Sequence, residues 1–270
     1  MKNIIARGSI QHTLYEDIKS LFSSYFVNKA CKRASNSNKR RLIELIKNYY
    51  DTENVLLFPY ARSCLLAILE SLELKKGSKI LMTPYNIGPM VNIIESLGLE
   101  PIFVDINLND YGPDYKHLEE KISEKPACFL ITYLFGYVPD MDFICKLCNK
   151  YNVPLVEDIS QNIGSKYKGR LLGKFGFASF YSASLTKYVD GYNGAFVLLN
   201  SKDFFKKISK FTEKLNSPQR KRIQFIILNT LIWNLALNRY VFNYLTYPFL
   251  YLTKKFFRSF FDKLLGPSIK

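Results

Sequence analysis

The chain has 270 residues, of which 48% are apolar and 23% charged, and its formal net charge is +15. This composition is that of a folded globular protein with a sizeable core, and it excludes an intrinsically disordered chain. Five cysteines in a chain of this length do not make a disulfide framework, and free thiols fit a reducing cytoplasm.

The first 50 residues form a predicted helical and basic N-terminal segment, with an amphipathic stretch over residues 39–50. Residues 1–11 contain no apolar signal-peptide core.

From residue 51 to residue 200, short apolar runs alternate with amphipathic stretches. Strands are predicted at 55–58, 79–82, 101–105, 127–133, 154–158, 179–182 and 194–199, and helices at 62–72, 88–97, 114–123 and 142–151. This alternation predicts an α/β large domain over residues 51–200, with three α/β/α layers and a mostly parallel, mixed sheet.

One predicted helix contains a C-x-x-C pair, Cys145 and Cys148. No second pair lies nearby, and the whole chain has two histidines, His12 and His117. We therefore expect no zinc site and no other metal site.

Residues 201–270 form a basic, aromatic and helical C-terminal region with 14 Lys and Arg against three acids. Its longest apolar run is interrupted by Asn229, Asn234, Asn238 and Arg239, so it falls short of a clean membrane-spanning helix. Two interpretations stay open: helices of a core or dimer interface with solvated lysines, or peripheral contact with the face of an anionic membrane. No recognition motif accompanies the charge, so we expect no nucleic-acid binding.

Two residues that follow strands are candidates for chemistry. Asp158 ends a buried strand, and Lys187 lies 29 residues later, just beyond the strand that ends at Ser182. Ligands of parallel sheets bind beyond the carboxyl ends of the strands. Such a pair can hold the two ends of pyridoxal 5'-phosphate, whose aldehyde takes a lysine amine and whose ring nitrogen needs a carboxylate partner. Taken alone, Lys187 is an ordinary surface lysine and Asp158 is either a helix N-cap or the partner of a cation.

A phosphate site is predicted from Ser182 together with the turn that starts the first helix of the domain, at Arg62 and Ser63. Backbone N–H groups at a helix N-terminus bind phosphate, although the same residues are also typical of a simple helix start. Gln161 is a candidate for the cofactor's phenolic oxygen or an ordinary loop amide.

Six segments carry a resemblance to one family. They lie between residues 39 and 201, in this order: Phe58-Pro-Tyr-Ala-Arg-Ser-Cys-Leu, Gly77-Ser-Lys-Ile-Leu-Met-Thr-Pro-Tyr, Gly98-Leu-Glu-Pro-Ile-Phe-Val-Asp, Leu134-Phe-Gly-Tyr-Val-Pro-Asp-Met-Asp, Glu157-Asp-Ile-Ser-Gln-Asn-Ile-Gly and Phe180-Tyr-Ser-Ala-Ser-Leu-Thr-Lys. Together they resemble the DegT/DnrJ/EryC1/StrS family of pyridoxal-phosphate-dependent sugar aminotransferases, which have the aspartate aminotransferase fold.

The resemblance implies a role for each candidate. It implies that Lys187 forms the Schiff base with the cofactor and shuttles a proton, and that Asp158 pairs with the pyridinium nitrogen. It also implies that Gln161 meets the ring hydroxyl. Ser182 and the Arg62–Ser63 turn are implied to bind the phosphate.

The implied reaction transfers an amino group from an amino acid, with glutamate expected, to a nucleotide-linked keto-sugar in surface polysaccharide, lipopolysaccharide or amino-sugar biosynthesis. A dehydratase branch of the family has histidine in place of the lysine, so Lys187 favours the aminotransferases. The resemblance also implies a homodimer. The free thiols and the basic tail predict a location in the cytoplasm, or peripherally at the inner face of the membrane.

The sequence departs from the family pattern in three places. Where an aromatic residue usually covers the cofactor ring, the sequence has Tyr85-Asn86-Ile87, so either Tyr85 stacks on the ring or Ile87 covers it less well. A glycine pair is reduced to Asn193-Gly194, and the 270 residues contain neither the expected Gly-x-Asn-x-Arg loop nor a small C-terminal domain. The alternative hypothesis is therefore a truncated or non-catalytic member that acts as a scaffold or partner subunit in polysaccharide assembly.

Overall fold

The computed structural model describes residues 10–25, 29–109, 111–185, 187–213 and 219–256, with the side chains of 29–35 and 254–256 left aside. The chain forms two compact units. The larger unit comprises Val27–Pro218, and the smaller combines Met1–Phe26 with Gln219–Lys270.

The larger unit is built on a seven-stranded sheet with the strand order β1-β9-β8-β5-β4-β2-β3. Strand β9 is antiparallel to both of its neighbours, and the remaining neighbours pair in parallel. The strands of this sheet are β1 (Val55–Phe58), β2 (Lys79–Met82), β3 (Glu100–Phe103), β4 (Cys128–Thr132), β5 (Leu155–Asp158), β8 (Ala178–Ser182) and β9 (Ala195–Leu199), while β6 (Lys166–Tyr167) and β7 (Arg170–Leu171) form a separate hairpin.

Helices cover both faces of the sheet, because its central strands are buried along their whole length and have apolar residues on both sides. One core contains residues of α3, α4 and α7, and the other contains residues of α2, α5 and α6. These helices are α2 (Lys29–Tyr50), α3 (Ala61–Ser71), α4 (Gly88–Ser96), α5 (Tyr115–Ser123), α6 (Met141–Tyr151) and α7 (Lys202–Glu213). The predicted three-layer α/β/α fold with a mostly parallel, mixed sheet is confirmed.

The divisions predicted at residues 50 and 200 differ from those of the structure, which lie near residues 27 and 218. The physical reason is packing. Helix α2 contributes the fully buried Tyr50 to one core, and α7 contributes the fully buried Ile208 to the other. Both helices are therefore part of the larger unit.

The smaller unit is helical and contains α1 (Leu14–Tyr25), α8 (Arg220–Leu237), a short helical turn α9 (Arg239–Val241), a π-helical turn (Phe242–Thr246) and α10 (Tyr247–Phe256). Thr13 and Glu16 form a reciprocal cap at the start of α1: the Glu16 carboxylate accepts from the Thr13 N–H at 2.8 Å, and the Thr13 hydroxyl accepts from the Glu16 N–H at 3.2 Å. The helical C-terminal segment predicted from the sequence is confirmed over residues 202–213 and 220–256, whereas residues 214–218 and 257–270 of that prediction lie outside the described part of the chain.

Within the described residues, no single helix is long and apolar enough to cross a bilayer. One pair, Arg220–Leu237 with Arg239–Thr253, passes that test jointly but bends by 64° at the break between its two arms.

Glu157 and Asp158 are consecutive in β5, so their side chains point to opposite faces of the sheet. The Glu157 side chain stabilises the turn beside the sheet. Its fully buried carboxylate accepts hydrogen bonds at 2.5–2.7 Å from the backbone N–H groups of Gly173, Phe175 and Gly176. The Tyr133 hydroxyl donates to the same carboxylate at 2.8 Å. Four donors therefore depend on one carboxylate, and the three backbone donors fix the turn at residues 173–176 that leads into β8.

We expect Glu157→Gln to lower the free energy of unfolding by about 2–4 kcal/mol, because an amide nitrogen at one position leaves buried donors without an acceptor. Urea unfolding measures the change. The matched control is Glu119→Gln, since Glu119 is exposed and pairs only at the surface with Lys150, so its replacement should cost less than about 1 kcal/mol. Equal losses in the two variants would contradict this role of Glu157.

Candidate functional site

The candidate site is built on the carboxyl ends of two adjacent strands. Strands β5 and β8 are parallel neighbours, with Asp158 opposite Phe180. Asp158 is the last residue of β5 and Ser182 the last of β8. The Ser160 N–H donates to Asp158 Oδ1 at 2.9 Å, and the Ser182 N–H donates to Ser160 Oγ at 3.1 Å. Ser160 therefore links the two strand ends and orients the carboxylate.

The electrostatics of Asp158 connect it with Lys187. Burial raises the pKa of the Asp158 carboxyl, whereas the hydrogen bonds from Ser160 and the positive charge of Lys187 act in the opposite direction. Lys187 is half-buried, and its backbone N–H donates to the Ser184 carbonyl at 3.1 Å in the loop after β8. The structure thus brings the predicted acid and lysine near enough for one charge to influence the other.

Ser182 is half-buried, and its hydroxyl hydrogen-bonds with the hydroxyl of Ser184 at 3.1 Å. The backbone around it is tied to the following loop, since the Ala183 N–H donates to the Gly194 carbonyl at 2.7 Å and the Gly191 N–H donates to the Ala183 carbonyl at 2.9 Å. Two hydroxyl groups therefore lie together just beyond the end of β8.

Helix α3 begins at the same edge of the sheet, because β1 and β8 are both antiparallel to β9 and so run in the same direction. Tyr60 is its N-cap residue, has an extended backbone and makes no side-chain cap hydrogen bond. The Ser63 N–H donates to the Tyr60 carbonyl, and the exposed Arg62 guanidinium lies 4.5 Å from the centroid of the Tyr60 ring. The first turn thus has the helix start predicted from the sequence, and the N–H groups that precede Ser63, those of Ala61 and Arg62, have no intrahelical acceptor.

Cys64 shows that this turn lies near the carboxylate. It follows Ser63 and is fully buried, and burial raises the pKa of its thiol well above the ordinary value, with the negative charge of Asp158 adding to the effect. The first turn of α3 and the end of β5 therefore belong to one neighbourhood.

Gln161 and Tyr85 are connected through one aromatic residue. The Phe135 N–H donates to Gln161 Oε1 at 3.2 Å, and the Phe135 ring meets the Tyr85 ring edge-to-face, with centroids 5.7 Å apart. The Tyr85 side chain is 52% exposed and that of Ile87, the N-cap residue of α4, is 60% exposed. Both residues named for the ring-covering position are therefore open to a ligand.

Several polar groups at this edge were not predicted from the sequence. Thr83, directly after β2, is buried, and its hydroxyl has no hydrogen-bond partner among the described residues. The Asn86 amide donates to the Thr132 hydroxyl, at the end of β4, at 2.8 Å. Asp158 was a candidate because it ends a parallel strand. The same criterion selects Thr132, the last residue of β4, and Thr83, which directly follows β2.

Phe135 also contacts Tyr111, which in turn contacts Tyr137, and neither contact was predicted from the sequence. The Tyr111 ring packs edge-to-face on Phe135 at 5.7 Å and against Tyr137 at 5.1 Å. These contacts join residues of separate loops, so no periodic pattern in the sequence indicates them.

The C-x-x-C pair lies on α6 as predicted. Burial raises the pKa of the Cys145 thiol to about 11 and that of Cys148 to about 12, so both are protonated at neutral pH. In the part of the chain that the structure describes, no group of three or more His, Cys, Asp or Glu side chains is arranged to hold a metal ion.

The family model of the DegT/DnrJ/EryC1/StrS aminotransferases matches residues 27–226. The chain is similar to GDP-perosamine synthase of Escherichia coli O157:H7, with 27% identity over 190 residues that cover 69% of this chain and 52% of that protein. It is also similar to the UDP-4-amino-4,6-dideoxy-N-acetyl-beta-L-altrosamine transaminase of Campylobacter jejuni, with 29% identity over 168 residues, or 61% of this chain and 44% of the other. The chain spans about half the length of the curated relatives it matches.

Solved structures show the same fold. The aminotransferase PseC of Helicobacter pylori, which is involved in the biosynthesis of pseudoaminic acid, superposes with a TM-score of 0.67 at 20% identity over 85% of this chain and 66% of that chain. A GDP-4-keto-6-deoxymannose-3-dehydratase with a trapped PLP-glutamate geminal diamine gives a TM-score of 0.66 at 16% identity, covering 85% of this chain and 68% of that one. Aminotransferases and a dehydratase thus share this architecture.

Proposed function

Because the chain belongs to the DegT/DnrJ/EryC1/StrS aminotransferase family, we propose that it binds pyridoxal 5'-phosphate and transfers an amino group from an amino acid to a nucleotide-linked keto-sugar. The observation that supports this best is the pair formed by the buried Asp158 and Lys187, whose charge acts on that carboxyl at the carboxyl edge of the sheet. Lysine at residue 187 favours amino transfer over the dehydratase chemistry of one structural neighbour.

The donor set fits this cofactor. A buried carboxylate suits a protonated ring nitrogen, a half-buried lysine suits the aldehyde, and hydroxyls beside a helix N-terminus suit a phosphate. The buried Thr83 hydroxyl, which has no partner among the described residues, is a further polar group at this edge.

Each residue then has a defined task. Asp158 holds a proton on the ring nitrogen, and Ser160 keeps its carboxylate oriented by donating to Oδ1. Lys187 attaches the cofactor through Nζ and afterwards holds and moves a proton at that atom. When bound, pyridoxal phosphate supplies an electron sink for the bonds broken at the amino-bearing carbon.

The remaining predicted residues bind and orient the cofactor. Ser182 and the first turn of α3, at Arg62 and Ser63, hold the phosphate through a hydroxyl and backbone N–H groups. Gln161 hydrogen-bonds the ring hydroxyl, and Tyr85 covers the ring face.

The proposed substrates are an amino acid, with glutamate expected, and a nucleotide-linked keto-sugar. Relatives named as nucleotide-sugar enzymes support this, as does the similar lipopolysaccharide biosynthesis protein RfbH of Salmonella typhimurium, 30% identical over 113 residues. We further propose a homodimer in the cytoplasm that contacts the membrane peripherally through residues 201–270, whose excess of Lys and Arg suits anionic lipids.

The test uses the purified full chain with added pyridoxal phosphate. We expect a visible absorption band from the bound cofactor, and we expect that borohydride fixes its mass on Lys187, as read by peptide mass spectrometry. Glutamate should then abolish the visible band while 2-oxoglutarate forms. Protein that stays colourless at saturating cofactor would contradict the enzyme and favour the scaffold hypothesis.

A further inference from the structure

The described helices of the smaller unit expose many apolar side chains. On α8, four apolar side chains at helical spacing share one face and are 43–65% exposed, while Ile223 and Trp233 are 39% exposed on another side of the helix. Exposed apolar and aromatic side chains continue on α1 and through the segment that follows the bend. They are Tyr15, Ile18, Phe22 and Tyr25 on α1, Phe225, Leu228, Ile232 and Leu235 on α8, and Tyr240, Tyr244, Leu245, Phe249, Tyr251 and Leu252 after the bend.

The buried side chains of α1 and α8 are both apolar and polar: Ile227 is buried, and so are Asp17 and Thr230. Asp17 is fully buried, accepts a hydrogen bond from the Asn234 amide at 2.8 Å and lies 3.4 Å from His12 Nδ1. The Asn234 amide also donates to the His12 carbonyl at 2.6 Å. The buried Thr230 hydroxyl donates within α8 to the Ile226 carbonyl at 3.0 Å.

Water disfavours the many exposed apolar side chains of these helices, because a helix pair surrounded by water buries its apolar stripe. Lipid favours exposed apolar side chains, and it also favours the pairing of buried polar side chains such as Asp17 and Asn234.

The charges define how far the apolar segments extend. Arg220, Lys221 and Arg222 precede 15 uncharged residues at 223–237, and Arg239 precedes 14 more at 240–253. Lys254 and Lys255 follow in the sequence. Each arm of the bent pair is about 20–23 Å long at 1.5 Å per residue, which is shorter than the ~30 Å hydrocarbon core. Cations at the start, bend and end of the pair suit anionic headgroups, and the several tyrosines suit the interface beneath them.

A second copy of the chain is a poorer occupant for this surface. A two-fold interface covers one self-complementary patch. The exposed apolar side chains of α8 lie on more than one side of the helix, and further ones lie on α1 and after the bend. A bilayer is fluid, so its acyl chains can contact the exposed apolar side chains of α8, of α1 and of the segment after the bend together.

We propose that α8 and the segment after the bend, through residue 253, lie along the interface of one leaflet of an anionic phospholipid bilayer. Their apolar side chains insert among the acyl chains, the cations at the start, bend and end stay at the headgroups, and α1 packs on α8 through the Asp17–Asn234 contact. This deepens the peripheral contact proposed above, from attraction at the headgroups to burial in the acyl chains. It does not depend on the pyridoxal chemistry of the larger unit.

The single tryptophan of the chain makes the test specific, because Trp233 lies on α8 and all tryptophan emission reports that helix. The full chain is mixed with vesicles of phosphatidylcholine and phosphatidylglycerol, with and without bromine on the acyl chains. We expect a blue shift of the emission, about twofold quenching by the brominated lipid, and retention of the protein on the vesicles after a wash at high salt.

A double variant, Leu228→Glu with Ile232→Glu, should lose the quenching and the salt-resistant binding, whereas Leu228→Val with Ile232→Val should keep both. Neither change lies in the larger unit, so binding of pyridoxal phosphate should be unaltered in both variants and serves as the folding control. If no variant binds pyridoxal phosphate, that result contradicts the proposed enzyme and leaves the insertion untouched.

Two outcomes would overturn insertion. If Trp233 is unquenched and the protein leaves the vesicles at high salt, the contact is electrostatic and superficial. If the emission is blue-shifted without lipid and the shift depends on protein concentration, a second copy covers the apolar surface instead.

Discussion

Lys187→Ala is expected to abolish covalent attachment of pyridoxal phosphate and to lower the rate of amino transfer from glutamate by about 10³-fold or more, since both the attachment atom and the proton carrier are lost. Borohydride reduction followed by peptide mass spectrometry measures the attachment. Formation of 2-oxoglutarate in a single turnover measures the transfer.

Lys187→Arg is the matched control for charge. Arginine keeps a cation beside Asp158 but stays protonated and cannot attach the cofactor, so this variant should be as inactive as the alanine variant. Lys150→Ala controls for the loss of a lysine as such, because Lys150 is exposed and pairs at the surface with Glu119. Cofactor that still becomes fixed to the protein of the Lys187→Ala variant would contradict the assignment.

Much of the fold was predictable because local patterns determine it. Runs such as Cys128–Thr132 and Ala195–Leu199 are apolar and bounded by turns, as strands buried on both faces require. Helix α6 has its start signal in the sequence, since Asp140 accepts hydrogen bonds from the N–H groups of Asp142 and Phe143. The direction of β9 was not predictable, because both orientations leave the same residues buried.

The site was predictable as far as position along a strand determines it. Asp158 and Ser182 end neighbouring parallel strands, and that alone places them at one edge. The link through Ser160 and the role of Glu157 depend on which face each side chain takes within a turn. Residues adjacent in sequence, Glu157 and Asp158, thus have separate tasks: one carboxylate fixes a turn and the other faces the candidate site.

The pairing of α1 with α8 was beyond the reach of sequence patterns. The hydrogen bond between Asp17 and Asn234 joins residues 217 positions apart. The sequence indicated Asn234 only as an interruption of an apolar run, whereas in the structure it is the partner of a buried acid.

Asp158→Asn is expected to lower the amino-transfer rate by about 10²–10⁴-fold, because a neutral amide does not stabilise a proton on the ring nitrogen. The cofactor should still attach to Lys187, so attachment and turnover separate in this variant, unlike in Lys187→Ala. Turnover equal to that of the unaltered protein, measured at saturating glutamate, would remove Asp158 from the mechanism.

The same variant tests the electrostatics of the site without cofactor. Burial raises the pKa of Asp158 in the folded protein above its ordinary value of 3.8, so between these two values the folded state binds more protons than the unfolded state. The free energy of unfolding should therefore fall as pH rises from about 4 through the folded pKa. Asp158→Asn should lose this part of the decline, whereas the part due to Glu157, whose pKa burial also raises, is common to both proteins.

Lys187→Ala should act in the opposite direction on the same curve, since removing the positive charge raises the pKa of Asp158 further and extends the decline to higher pH. Urea unfolding at a series of pH values measures the curves of the cofactor-free unaltered protein and of the Asp158→Asn, Lys187→Ala and Lys187→Arg variants. Because Lys187→Arg restores the charge without the amine, it should return the curve toward that of the unaltered protein while leaving the enzyme inactive. Identical curves for Lys187→Ala and Lys187→Arg would mean that the charge of residue 187 does not act on Asp158, which would contradict the electrostatic pairing of the two residues.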